Sequence, residues 1–187
     1  MKLIETRVFT VDDLRTAAGG VEKKMPTLHG HAALYNERTN IAGLFVEFIR
    51  PGAFRGALDG KDDVRALYNH DQNIVLGRTH TPGKTLRLGE DTRGLTHEID
   101  LPDTSAARDL AVSIGRGDVS QMSFQFAVRP KGDEWSQEKT PDGVRYWVRA
   151  LVDVELFDVS PVTFPQYEKT DVIVRSGRAA FEAAAER

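Results

Sequence analysis

The chain has no cysteine in its 187 residues. Disulfides, thiolate nucleophiles and Cys-based zinc sites are excluded by that absence alone. Long apolar runs are missing too. The opening MKLIETRVFTVDDL alternates charged and apolar residues, which fits neither a signal peptide nor a membrane span, and no later stretch is long enough to cross a bilayer. An excess of one charge is also lacking. Lys and Arg number 25 against 28 Asp and Glu, a net charge of −3, so no basic field points to nucleic acid. Neither a membrane nor a nucleic-acid partner is expected, nothing calls for a cofactor, and a cytoplasmic life fits. No internal repeat is visible.

What is present is the composition of an ordinary globular protein, 40% hydrophobic and 28% charged. The length suits one domain with its own core. Short alternating runs lie between Gly, Pro, Asn and Asp punctuation and predict strands at 28–35, 44–49, 64–70, 75–80, 84–88 and 94–101. In 64–70 alternation puts Val64, Ala66, Tyr68 and His70 on one face. A helix is predicted from about 104 to 114, with Asp103 as N-cap, Ala106, Leu110 and Ile114 at helical spacing, and Gly115 and Gly117 as the stop. A shorter helix is expected at 53–58.

The run QMSFQFAV at 121–128 reads as a strand with Met122, Phe124, Phe126 and Val128 on one face and Ser123, Gln125 and Ala127 on the other. Residues 130–143 are polar and read as a surface loop. A long strand or strand pair at 144–157 and a strand at 159–164 follow. The end, RAAFEAAAER, has the composition of a short amphipathic helix or frayed tail. The fold class is α+β: β-rich, a mostly antiparallel sheet or barrel with one or two packed helices. We divide the chain into an N-terminal arm (1–20), a main domain (21–172) and a tail (173–187).

Without cysteine, covalent catalysis rests most simply on Ser or Thr, and a serine hydroxyl needs a neighbouring base. Histidine is the usual one, because it titrates near working pH. Of seven serines, Ser105 and Ser113 lie on the predicted helix, Ser120 follows its turn, Ser136 and Ser176 lie in polar segments, and Ser160 precedes Pro161 at a strand end. Ser123 differs, because it interrupts a strongly apolar strand. Spacing alone leaves two readings open: a nucleophile, or a sheet-face serine bonded to a neighbour. His70 ends a strand where the chain must turn, and reads either as a base or as a turn histidine bonded to Asp71. His29 and His31 form an H-x-H pair, a weak zinc signal with no third ligand at motif spacing. His80 and His97 read as surface strand residues.

Several blocks together carry a family resemblance. They are Gly30-His31-Ala32; Arg50-Pro51-Gly52-Ala53-Phe54; Leu67-Tyr68-Asn69-His70-Asp71; Leu76-Gly77-Arg78; Gly94-Leu95; Arg116-Gly117-Asp118-Val119; Gln121-Met122-Ser123-Phe124-Gln125-Phe126; and Leu156-Phe157-Asp158-Val159-Ser160-Pro161-Val162-Thr163-Phe164-Pro165. In this order, over roughly 28–167, the chain resembles the tailed-phage prohead (procapsid maturation) serine proteases. The resemblance implies a fold of the type of the herpesvirus capsid-maturation protease, assemblin.

The resemblance also implies His70 as general base, Ser123 as nucleophile and Asp158 as the third member, with Asp153 and Glu155 as alternatives on the same segment. By strict alternation Asp158 shares a face with Val152, Val154 and Leu156, where a carboxylate needs a partner. Gln125 stands where the family usually has Gly. Oxyanion stabilisation would come from backbone amides, with Arg129 or Arg145 as helpers. The implied activity is limited cleavage of major capsid protein and scaffold segments, and of the protease itself, inside the assembling prohead in the host cytoplasm, with self-association. The rivals are a non-enzymatic capsid-assembly or scaffold module on the same fold, a metal-dependent hydrolase, and a piece of a longer chain carrying scaffold or capsid.

Overall fold

The computed structural model describes residues 2–17, 25–164, 177–182 and 184. Both expected boundaries, 20/21 and 172/173, lie outside the described residues. Strands β1 (Glu5–Thr10), β2 (Arg15–Ala17), β3 (Thr27–Leu34), β4 (Thr39–Ile41) and β5 (Phe45–Ile49) come first, then helix α1 (Arg55–Leu58). Next are β6 (Arg65–Tyr68), β7 (Asp71–Arg78), β8 (Leu86–Glu90), β9 (Gly94–Asp100) and helix α2 (Ser105–Arg116). The chain continues through β10 (Gln121–Val128), β11 (Asp133–Lys139), β12 (Arg145–Leu151) and β13 (Val154–Val162). Residues 177–182 and 184 are helical.

The strands form three sheets, ordered β1-β10-β13-β6-β7, β11-β12-β5-β4 and β2-β3-β9-β8. All pairings are antiparallel except β12–β5 and β13–β6. The β-rich α+β expectation holds, but as separate open sheets; no closed barrel forms among the described residues. One core unites the sheets, with Phe54, Phe124 and Phe126 fully buried at its centre. The ring of Phe124 meets Phe54 edge-on at 5.5 Å and stacks on Phe126 at 5.2 Å.

Helix α2 begins one residue later than predicted. Thr104, not Asp103, is the N-cap, and its side chain accepts from the Ala107 N–H at 3.3 Å. Ala107, Leu110 and Ile114 form its buried stripe, and Gly117 closes it at φ 84°, a left-handed position suited to glycine. The expected loop at 130–143 is largely strand β11, paired residue by residue with β12. Its polarity misleads because one face is solvated, while Trp135 on the other packs edge-on against Phe45 at 4.9 Å.

The first two sheets are joined by a buried ionic network that no pattern in the sequence announces. Arg7 binds Glu47 (2.5 and 2.9 Å) and Glu5 (2.7 Å), and Arg149 binds Glu5 (2.8 and 2.9 Å), Glu47 (3.0 Å) and Asp133 (3.0 Å). Burial would raise the Glu5 carboxyl, but Arg7 and Arg149 overcome it and hold the group ionised. The network fixes β1, which lies directly beside β10.

Candidate active site

His70 sits in the two-residue turn of the β6–β7 hairpin, between paired Tyr68 and Asp71. Asn69 (φ 53°) and His70 (φ 58°) are both left-handed, the signature of a type I′ turn. Asn tolerates that region, whereas for His it costs about 1 kcal/mol or more. The turn is pinned to the end of β13. The Asn69 N–H donates to the Pro161 carbonyl (3.0 Å), the Thr163 N–H donates to Asn69 Oδ1 (2.9 Å), and Asn69 Nδ2 donates to Thr163 Oγ1 (3.1 Å). His70 therefore does not continue the face of Ala66, as alternation predicted. The strand stops at Tyr68, and register shifts on either side of Leu67 break the alternation.

Ser123 lies in the middle of β10, opposite Val8 on β1 and Ser160 on β13. Its neighbours Met122 and Phe124 point into the core on the other face. Asp158 reaches the Ser123 face through a β-bulge. Phe126 pairs with Leu156 and Gln125 with Asp158, leaving Phe157 as the extra residue. Strict alternation put Asp158 beside Leu156. The bulge reverses the parity, so Val159 and Pro161 turn inward with Phe124 and Met122 while Asp158 and Ser160 share the face of Ser123.

These placements produce a continuous hydrogen-bond chain. Asp158 Oδ1 lies 2.7 Å from His70 Nδ1, and His70 Nε2 lies 2.6 Å from Ser123 Oγ. The carboxylate assigns the ring proton to Nδ1, so Nε2 is the acceptor facing the hydroxyl. The Ser123 hydroxyl has a second acceptor, the Arg7 carbonyl at 2.9 Å, and Asp158 Oδ1 also receives the Ser160 hydroxyl at 2.7 Å. Ser123 is fully buried, Asp158 is 3% exposed and the His70 side chain 11%. A hydroxyl, an imidazole whose Nε2 can accept its proton and a carboxylate that orients the ring are thus in contact within a site of low solvent access, where electrostatic effects are strong.

The other candidates lie elsewhere. Asp153 faces Arg129 at 3.4 Å in the turn between β12 and β13, and Glu155 pairs with Lys2. Arg129 is engaged by Asp62 and Asp153, while Arg145 is exposed at the start of β12 in another sheet. His31 is held between two carboxylates, Asp13 at 2.5 Å on Nδ1 and Asp91 at 3.0 Å on Nε2, and His29 faces Glu98 at 3.8 Å. Among the described residues no group of three or more His, Asp or Glu side chains is arranged to hold a metal. His80 is exposed, but His97 is not the surface residue expected. It alternates with Leu95 and Ile99 into the core, and burial pushes its imidazole down to about 3.

Residues that reasoning from sequence passed over are Ser160, Asn69, Thr163 and the Arg7 carbonyl. A signal existed for one of them. An Asn-led dipeptide between two alternating runs marks a type I′ hairpin, which makes the next residue the tip.

Comparison with known proteins agrees with the ordered blocks. No curated protein and no solved structure matches the chain. A sequence model of the caudovirus prohead serine proteases matches residues 12–183, covering β3 through β13 and both blocks that carry Ser123 and His70. The chain belongs to the caudovirus prohead serine protease family.

Proposed function

We propose that this protein is the serine endopeptidase of prohead maturation. It cleaves scaffold and major capsid-protein segments, and itself, inside the assembling shell. The observation that carries the reading is the unbroken contact from Asp158 through His70 to Ser123, at 2.7 and 2.6 Å. Ser123 Oγ attacks the scissile carbonyl carbon as its proton passes to His70 Nε2. Asp158 stabilises the imidazolium through Nδ1–H. The imidazolium then protonates the leaving amine, the C–N bond breaks, and water repeats the sequence to release the acyl group.

Family membership and site geometry support one another: the matched segment spans all three residues. The test is mass spectrometry of capsid, scaffold and protease termini after co-expression with wild type or Ser123→Ala. New termini should appear with wild type alone. Identical termini in both samples would remove Ser123 from the mechanism.

A further inference from the structure

We infer that Ser160 is a positioning residue of the catalytic apparatus, acting through Asp158; this rests on the triad reading above. Ser160 is fully buried and lies across from Ser123 in the β10–β13 register. Its hydroxyl donates to Asp158 Oδ1 at 2.7 Å, and the same oxygen accepts the His70 Nδ1–H at 2.7 Å. A buried hydroxyl needs an acceptor, and an ordinary strand serine can meet that need with a carbonyl. Here the acceptor is the carboxylate oxygen that faces the imidazole.

Two consequences follow from one oxygen receiving two donors. The first is orientation. With His70 alone as partner, the carboxylate can rotate about its terminal torsion, which is broad for Asp. The second donor fixes the plane, and with it the direction in which Nε2 meets Ser123. The other consequence is electronic. The Ser160 hydroxyl disperses negative charge on Oδ1, so the carboxylate grips the imidazolium less tightly than a singly bonded one would. The imidazolium must give up its proton to the leaving group, and a moderated carboxylate suits that step. The Ser160 hydroxyl bonds Asp158 and, among the described residues, neither Ser123 Oγ nor His70, so its hydrogen-bonding influence passes through Asp158.

The test reads Ser123 reactivity without a chosen peptide. A fluorophosphonate phosphonylates a catalytic serine: the Oγ–P bond forms, the P–F bond breaks, fluoride leaves and the hydroxyl proton goes to the base. The labelling rate is measured against pH for wild type, Ser160→Ala and Ser160→Thr, with Ser123→Ala as blank and thermal melting as the control for folding. Ser160→Ala should melt near wild type and label about tenfold more slowly on the plateau, a fraction of what ångström-scale misplacement costs. Its acid limb should move about half a pH unit higher, because a carboxylate with fewer donors retains the imidazolium longer. Ser160→Thr, which keeps the hydroxyl, should restore the limb. If its extra methyl prevents folding, the Ser160→Ala limb decides.

A Ser160→Ala profile that superimposes on wild type overturns the inference, as does a slower rate with an unmoved limb, the mark of general loosening. Wild-type protein that does not label at Ser123 overturns the triad reading itself.

Discussion

Asn69 and Thr163, 94 residues apart in sequence, hold each other by a reciprocal pair of hydrogen bonds, one from the Thr163 backbone to Asn69 Oδ1 and one from Asn69 Nδ2 to Thr163 Oγ1. Tyr68 adds a third contact to the Thr163 hydroxyl at 2.8 Å. This clasp ties the hairpin tip bearing His70 to the strand bearing Asp158. The imidazole is therefore placed by its neighbours rather than by its own strand.

Asn69→Gly isolates the clasp, since glycine accepts the left-handed backbone without steric cost and only the side-chain bonds are lost. Labelling of Ser123 should slow about ten- to a hundredfold. The melting temperature should fall by only a few degrees, as expected for about 1 kcal/mol. Asn69→Ala adds strain of about 1–2 kcal/mol at φ 53° and should melt lower still. Labelling rates and calorimetry check both.

Asp158→Asn preserves shape but can present an amide donor to Nδ1, favouring the wrong tautomer. Turnover should fall roughly a thousandfold or more. Asp153→Asn and Glu155→Gln should leave turnover near wild type, because those carboxylates face Arg129 and Lys2. Cleavage of co-expressed capsid protein, followed by gel densitometry, separates the three.

His97→Leu should stabilise the protein. Both ring nitrogens of His97 are buried without a hydrogen-bond partner among the described residues, an arrangement that costs about 1–3 kcal/mol. The gain should grow in acid. Below about pH 6.5 the unfolded chain takes up a proton at this position, which the folded one refuses until about 3, so wild type loses stability through that window. Denaturant melts at pH 5.0 and 7.5 measure the difference; an equal gain at both would contradict it.

His31→Gln should have the opposite pH signature. Burial would lower the His31 imidazole, but hydrogen bonds to Asp91 and Asp13 override it and raise the group. The contribution is complete below the unfolded value of about 6.5 and is lost as pH climbs through the raised folded one. Asp91, held at about 2 chiefly by His31, contributes above the unfolded carboxyl value of about 4 and loses that contribution as pH falls. The gap in melting temperature between wild type and His31→Gln should thus be widest from about pH 4 to 6.5 and narrow in alkali.

Arg149→Leu leaves Glu5, Glu47 and Asp133 clustered in the interior with Arg7 as the remaining cation of that network. Breaking a buried pair in this way costs about 3–5 kcal/mol. Urea unfolding should show a lower midpoint with an unchanged slope. Because β1 runs beside β10, labelling of Ser123 should also slow in the folded fraction.

The sequence was most readable where period and punctuation agree. The alternation of 121–128 gave β10 its correct faces, and the Ala/Leu/Ile spacing before Gly117 gave α2 within about a residue of its true start. It was least readable where one residue changes parity. Neither the extra residue at Phe157 nor the register shifts around Leu67 leave a mark in hydropathy, so Asp158 and His70 were placed on faces they do not occupy. Strand β11 was hidden by polar residues on its solvated side, and the Arg7–Glu47–Arg149 network by the distance between its members. The ordered family blocks still named three side chains that the structure brings into contact, because they depend on residue order and not on which way a strand faces.

Phe157 illustrates how a backbone irregularity can matter more than the side chain it carries. Pleating β13 regularly through this residue would rotate everything after it by half a turn, sending the carboxylate toward the phenylalanines and bringing Val159 out beside the imidazole. The face that Asp158 presents depends on Phe157 standing outside the pleat.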